Sequence, residues 1–302
     1  MSRVLVLLAA LCFATTGTAQ ELGPAVEPIA VGAARIAVGG ALLALVAWWI
    51  ARHGRAAEAQ HAAPMVRGAL ALIAVAVAAY QLSFFAAVHL TGVAVGTVVA
   101  LGSAPAFTGL ASRLSGDAPL GRRWALSTAL ACTGVGMLVL AGSGATEIDP
   151  LGIGLALVSG SGYATYTVAS KRLLAAGHAP ETVMARGFGV AAVLLSPVLV
   201  MAGGATLLTP AGLALAFYLG AIPTALAYVL FARGLKRLSA GETATLTLAE
   251  PLTAAALGVV VLGERPGLLA AVGAAVTLAG LVVLALPSAA RPAPRLAPAP
   301  AR

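Results

Sequence analysis

Residues 243–262 read TATLTLAEPLTAAALGVVVL, twenty residues with a single charge, Glu250, and a single helix breaker, Pro251. At about 1.5 Å of rise per residue, such a stretch covers about 30 Å, the thickness of a bilayer's hydrocarbon core. It predicts a membrane-spanning helix. Nine more stretches have the same character: 4–19, 29–51, 68–88, 93–112, 124–141, 151–170, 183–202, 211–232 and 268–286. The short linkers between them hold the turn residues and most of the charges. The reading is therefore an all-α integral membrane protein with ten transmembrane helices.

Composition agrees. Of 302 residues, 60% are hydrophobic and 9% are charged, against about 25% charged in soluble domains. Mean hydropathy is +1.00. So few charges cannot cover a water-facing surface, which excludes a soluble enzyme, a disordered regulator and a nucleic-acid-binding domain. The net charge of +8 reads as the positive-inside bias of a membrane protein, not as a nucleic-acid footprint. Cys12 and Cys132 each lie within an apolar run, so neither a disulfide framework nor a metal site is expected. No phosphate-binding loop, HExxH or CxxC motif occurs, and no cofactor is expected.

The Lys/Arg bias sets orientation. With the N-terminus inside, the inner segments hold 15 of the 18 basic residues: Arg3, Arg52, Arg55, Arg67, Arg113, Arg122, Arg123, Lys171, Arg172, Arg233, Lys236, Arg237, Arg291, Arg295 and Arg302. The outer loops hold Glu21, Glu27, Glu147, Asp149 and Glu264 against Arg265 alone. Both termini are thus expected on the cytoplasmic side of an inner membrane. Residues 287–302, rich in Pro, Ala and Arg, read as a disordered cytoplasmic tail. The first stretch also has the form of a secretory signal, with Arg3, an apolar run and GTA before Gln20.

An internal repeat decides for keeping that first helix. Cys12-Phe-Ala-Thr-Thr-Gly17 is echoed by Gly162-Tyr-Ala-Thr-Tyr-Thr167, and Ala34-Arg35 by Ala185-Arg186. Phe85-Ala86 is echoed by Phe231-Ala232, Ala104-Pro105 by Glu250-Pro251, and Asp117-Ala-Pro119 by Glu264-Arg-Pro266. The five echoes keep chain order at offsets of 146 to 151 residues. Each copy holds five spans, an odd number, so the second copy enters the membrane inverted. Inverted repeats are a transporter architecture with the site at the repeat interface near the midplane.

This arrangement resembles the EamA-type members of the drug/metabolite transporter superfamily. The resemblance is carried by Ala249-Glu-Pro-Leu-Thr253, Leu262-Gly-Glu-Arg-Pro266, Gly273, Leu278-Ala-Gly280, Ala34-Arg35 and Tyr166 through Arg172. It implies EamA-like repeats over 4–141 and 151–286. It also implies a secondary transporter of a small organic solute and no enzymatic activity. Export of amino acids or related metabolites by alternating access is the favoured expectation. Efflux of drugs or amphipathic cations, metabolite uptake and a non-transporting membrane partner are the alternatives. Ala104 stands where Glu250 stands in the second repeat, and Leu11-Cys12-Phe13 replaces the Trp-Gly pair common in the family's first helix.

The candidate site residues are the polar and broken positions within spans. Glu250 is the only acid inside a predicted span and has two readings: a proton carrier, or a helix-architecture residue beside Pro251. Arg35 either binds or gates an anionic group, or snorkels to the outer interface. Arg186, closer to a membrane surface, has the same choice. Pro105 and Pro251 break equivalent spans, a pointer to the binding site; Pro223 breaks span eight, and Pro197 reads as a packing kink. Tyr80, Gln81, Phe84, Thr97, Ser103, Tyr163, Tyr166, Thr224, Tyr228 and Thr247 are expected to face a mostly apolar substrate path. His89 reads as a loop residue, and Trp48, Trp49 and Trp124 as interfacial belt residues. Protons are a candidate coupling ion, and membrane lipid is the expected surrounding.

Overall fold

The computed structural model describes residues 1–53, 65, 67–117, 120–141, 149–263 and 265–286, with backbone alone at 93 and 94. The expected tail at 287–302, and Arg55, Glu147 and Glu264, lie outside the described residues. Among the described residues, ten long helical segments follow one another. They are α1 (Ser2–Leu22), α2 (Pro28–Arg52), α3 (Arg67–Gly92), α4 (Val95–Leu114), α5 (Arg122–Ala141), α6 (Pro150–Ala175), α7 (Pro180–Ala202), α8 (Pro210–Leu235), α9 (Ala240–Val261) and α10 (Leu268–Ala285). Helices α3 and α4 run into each other through Gly92, whose φ of 78° and ψ of 158° are open to glycine but strained for other residues. Gly92 and Gly96 thus serve a tight turn, where Val88 packs against Gly96.

Proline opens α2, α6, α7 and α8 at the first turn, where its missing donor has no helical partner to lose. Asp149 caps α6 through the Leu151 amide at 2.8 Å, and Thr209 caps α8 through the Gly212 amide at 3.1 Å.

Among the described residues, nine of the ten are apolar enough to cross a membrane by length and composition. The exception is α6, whose middle reads SGSGYATYT over 159–167. Its packing gives the reason. Ser159, Gly160, Gly162, Tyr163, Tyr166, Thr167 and Ser170 are all buried, pressed mainly against α3 and α4. A Cβ on Gly162 would stand 3.0 Å from the Ala76 carbonyl oxygen, and one on Gly160 would stand 2.9 Å from the Ala100 carbonyl oxygen. Small residues let the backbones touch, which drives helix association where lipid supplies no hydrophobic force.

The contacts obey a two-fold pseudosymmetry. Helix α6 packs on α3 and α4, as its repeat mate α1 packs on α8 and α9. Helix α2 packs on its own mate α7, and α5 on its own mate α10. Each set of contacts maps onto itself when the five-helix halves are exchanged. The first helix is therefore a structural member of the bundle.

One end of the bundle is basic and tightly closed. Arg123 donates from Nε to the Val283 carbonyl at 2.7 Å and from Nη2 to the Leu284 carbonyl at 2.6 Å. Lys171 Nζ donates to the Leu235 carbonyl at 3.0 Å, and Arg3 Nη1 to the Ala285 carbonyl at 2.9 Å. These cations satisfy last-turn carbonyls of α8 and α10 and complement the negative helix ends. Asp117, in the α4–α5 connection, accepts from the Ala240 amide at the start of α9 at 2.9 Å. Ion pairs join Arg3 to Glu242 at 2.7 Å and Arg233 to Glu181 at 2.5 Å.

Two readings of the sequence change here. Helices α7 and α9 begin earlier than the predicted spans, so Glu181 and Glu242 enter their first turns, where acids suit the positive helix end. Trp124 is not a belt residue: its half-buried ring packs on Gly109 of α4 and within 3.4 Å of a Cβ placed on Gly241 of α9. Trp48 and Trp49 are exposed at the end of α2, as an interfacial belt requires.

Candidate functional site

The bundle's internal cavity forms where the helices break. Pro251 removes the amide that would bond the Thr247 carbonyl, and α9 is interrupted at Thr247–Leu248. The Glu250 amide takes that carbonyl instead at 2.9 Å, which turns the Glu250 side chain within a tightened turn. In the equivalent helix α4 the break expected at Pro105 does not occur: the helix runs on through it, and one turn earlier the Gly102 carbonyl accepts from Cys132 Sγ at 3.2 Å. Helix α8 widens to a π-turn over Ala221–Leu226 around Pro223. The Leu219 carbonyl that Pro223 leaves unbonded accepts from Thr224 Oγ1 at 2.8 Å. Helix α7 continues unbroken past Pro197, and Ser196 Oγ donates to the freed Val193 carbonyl at 2.8 Å.

The cavity is a cleft of about 600 Å³, in the usual range for a small-molecule site. Its wall combines both halves. Phe13, Thr16, Gly17 and Gln20 come from α1, Arg35 from α2, and Tyr80, Gln81, Phe84 and Phe85 from α3. Thr97, Leu101, Ala104 and Pro105 come from α4, and Leu138 and Val139 from α5. The second half adds Tyr163, Tyr228, Ala244, Thr247, Leu248, Glu250, Pro251, Ala254 and Ala255. Along α1, α3, α4 and α5 these residues lie in the half remote from the basic end, so the cleft sits away from the Arg123 and Lys171 clamps.

Two of the lining side chains are charged, Arg35 and Glu250. They face the same space without forming a direct ion pair, although the Arg35 charge acts on Glu250, Tyr80 and Tyr228. Arg35 Nη2 donates to Gln81 Oε1 at 3.0 Å, and Gln81 Nε2 points back to the Gly32 carbonyl at 3.5 Å. Arg35 Nε is buried with no hydrogen-bond partner. The guanidinium is thus tethered to α3 through Nη2.

Aromatic rings floor the cleft. Tyr163 lies 6.3 Å from Tyr80 and 5.1 Å from Tyr166 between ring centroids, and Phe13 lies 5.0 Å from Tyr228. Tyr228 in turn packs 4.2 Å from Phe188. The Tyr163 hydroxyl lies 3.0 Å from the Thr247 hydroxyl, joining α6 to the broken turn of α9. This layer and the clamps beyond it separate the cleft from the basic end.

Of the residues singled out from sequence, Tyr80, Gln81, Phe84, Thr97, Tyr163, Tyr228, Thr247, Arg35, Glu250, Pro105 and Pro251 meet at this cleft. Three do not line it. Ser103 bonds the Ala100 carbonyl at 3.2 Å and faces Gly160. Tyr166 is 1% exposed in the aromatic layer beneath. Thr224 bonds its own helix and packs on Gly39 of α2. Arg186 is exposed and reaches Met65, and His89 is exposed at the end of α3. The α1 wall was not anticipated, although Phe13, Thr16, Gly17 and Gln20 share one face by their spacing of three and four.

A second groove of about 580 Å³ runs between α1 and α8, past Ala19, Leu215 and Tyr218. It has no charged lining residue and opens beside the exposed Tyr218 and Phe217, as expected of a lipid-facing crevice.

A helical bundle with a two-fold-related pair of halves, and a mixed polar cleft between them, defines a multi-pass membrane transporter fold. The EamA-like transporter family model matches residues 2–140 and again 150–286. The chain belongs to the EamA-like transporter family. It is 39% identical over 280 residues, 92% of each chain, to the uncharacterized transporter YwfM of Bacillus subtilis (strain 168). It is 32% identical over 291 residues to the threonine/homoserine exporter RhtA of Salmonella typhimurium (strain SL1344), covering 94% of this chain and 87% of that one. A solved crystal structure with 21% identity superposes with a TM-score of 0.80 over 93% of this chain and 95% of its own, a likeness of fold.

Proposed function

We propose that this transporter exports amino acids or related small metabolites across the inner membrane by alternating access, with both termini in the cytoplasm. The observation that carries the reading is the cleft beside the break of α9 at Pro251 and its repeat equivalent Pro105, walled by both halves and holding Arg35 and Glu250. Rocking of the halves would expose that cleft to each side in turn. The similarity to RhtA supports an amino-acid-like solute. The positive-inside distribution supports the orientation and makes the clamped basic end the cytoplasmic one.

Glu250 is the candidate proton carrier, since it is the acid of the cleft and sits on the broken turn. The aromatic wall beside Glu250 also suits an amphipathic cation, but Arg35 in the same wall repels one. The test is counterflow in proteoliposomes, with labelled amino acids and amphipathic cations, with and without an imposed pH gradient. Saturable amino-acid exchange, with gradient-driven flux lost in Glu250→Gln, is the expected result. Exchange and driven flux untouched by Glu250→Gln would remove the proton role and leave a facilitator. Cation flux without amino-acid exchange would replace the amino-acid reading.

A further inference from the structure

The cleft holds one cationic and one anionic side chain, on opposite halves of the molecule, and they do not neutralise each other by direct contact. Arg35 comes from the first half and Glu250 from the second. An isolated charge in a membrane interior is costly, and a pair left apart keeps much of that cost. Arg35 spends a guanidinium donor on Gln81 and still presents a fixed positive charge to the cleft, which a carboxylate neutralises through a charge-assisted hydrogen bond. Glu250, across the cleft beside the Tyr163–Thr247 hydroxyl pair, offers oxygen acceptors to a cation.

From this arrangement we infer that the cleft is a zwitterion site: Arg35 takes the carboxylate of an α-amino acid, Glu250 takes its ammonium, and the side chain it accepts is uncharged. The last point follows from the rest of the wall. Its other lining residues are apolar, aromatic, hydroxyl or amide groups, so a third substrate charge would enter with no partner. Bound substrate bridges the two halves and completes the ion pair that the empty cleft leaves open. The two charges then cross as a neutral set, which lowers the barrier to rocking. This inference rests on the reading of the cleft as the transport site.

The experiment is competition against counterflow of labelled L-threonine in proteoliposomes. The competitors are L-threonine, N-acetyl-L-threonine, L-threoninamide, L-lysine and L-aspartate. L-threonine should compete at least about a hundredfold better than the analogues that lack one pole, because a site built around a polar group rejects a ligand without it. Lysine and aspartate should be rejected likewise. Arg35→Gln should erase the discrimination against the amide while keeping that against the N-acetyl analogue, and Glu250→Gln should do the reverse. Arg35→Lys, which keeps the charge, should retain discrimination and report that the fold is intact. Competition by the amide and the N-acetyl analogue as strong as that of L-threonine in the wild type overturns the zwitterion site while leaving the transporter reading standing. Flux of amphipathic cations without threonine counterflow also overturns it. Absence of flux for every solute from folded protein overturns the transport-site reading and this inference together.

Discussion

Arg35 is held in place by Gln81, whose side-chain oxygen accepts from the guanidinium at 3.0 Å. The bond ties α2 to α3 and points the guanidinium along the cleft wall. Replacing Gln81 by Met removes the tether without changing charge. Hydrogen bonds to charged groups contribute about 1.5–3 kcal/mol, so KM for counterflow should rise about tenfold or more while the maximal rate changes little. Initial-rate counterflow across a concentration series checks this; an unchanged KM would mean that the wall holds Arg35 without Gln81.

Arg3 and Arg123 of the first half satisfy carbonyls at the end of α10 in the second half, at the basic end. Arg3→Met and Arg123→Met remove these clamps, so the halves should part there more readily. With Cys12 and Cys132 replaced by Ala, a reporter cysteine introduced as Ala244→Cys at the buried cavity floor should react with a thiol reagent applied from the basic end. Its rate should rise about tenfold over the clamped parent, corresponding to about 1.4 kcal/mol of population shift. An unchanged rate would place closure elsewhere.

Thr224 donates to the carbonyl that Pro223 leaves free and lies outside the cleft. Thr224→Val keeps the shape against Gly39 but removes the donor. The expected cost is about 1 kcal/mol of stability, read as a lower denaturation temperature in detergent, with KM unchanged. A changed KM with unchanged stability would return Thr224 to the substrate path.

Gly273 of α10 lies against Gly134 of α5, so that a Cβ on Gly273 would stand 2.7 Å from the Gly134 carbonyl oxygen and 2.6 Å from the Leu138 amide nitrogen. Both neighbours are backbone and cannot swing aside. Gly273→Val should destabilise the bundle by about 1–3 kcal/mol, whereas Gly102→Ala, with open space at its Cβ, should not. Paired thermal melts of the two variants check this.

The spans were legible because each is an apolar run bounded by charges or breakers, and the inversion because Arg35, Pro105 and Glu250 have echoes or vacancies near one constant offset. The cleft was legible only in part. Polar residues in a bundle have two places to turn, and sequence does not distinguish them. Thr224 and Ser103 turn to carbonyls of their own helices, while Thr97 and Thr247 reach the cleft. Tyr166 lies one turn from Tyr163 and falls one layer below it. The contribution of α1 was missed because its wall is Phe13, Gly17 and Gln20, side chains unremarkable alone that acquire a role only when α1 docks on α8 and α9.

The central claim is that solute passes through the cleft between Arg35 and Glu250. Substrate protection tests it most directly. Thr97→Cys, in the background lacking Cys12 and Cys132, places a thiol on the cleft wall. Saturating L-threonine should slow its labelling about tenfold or more, at concentrations that match the counterflow KM. Labelling unaffected by L-threonine, in protein that still performs counterflow, would contradict the account.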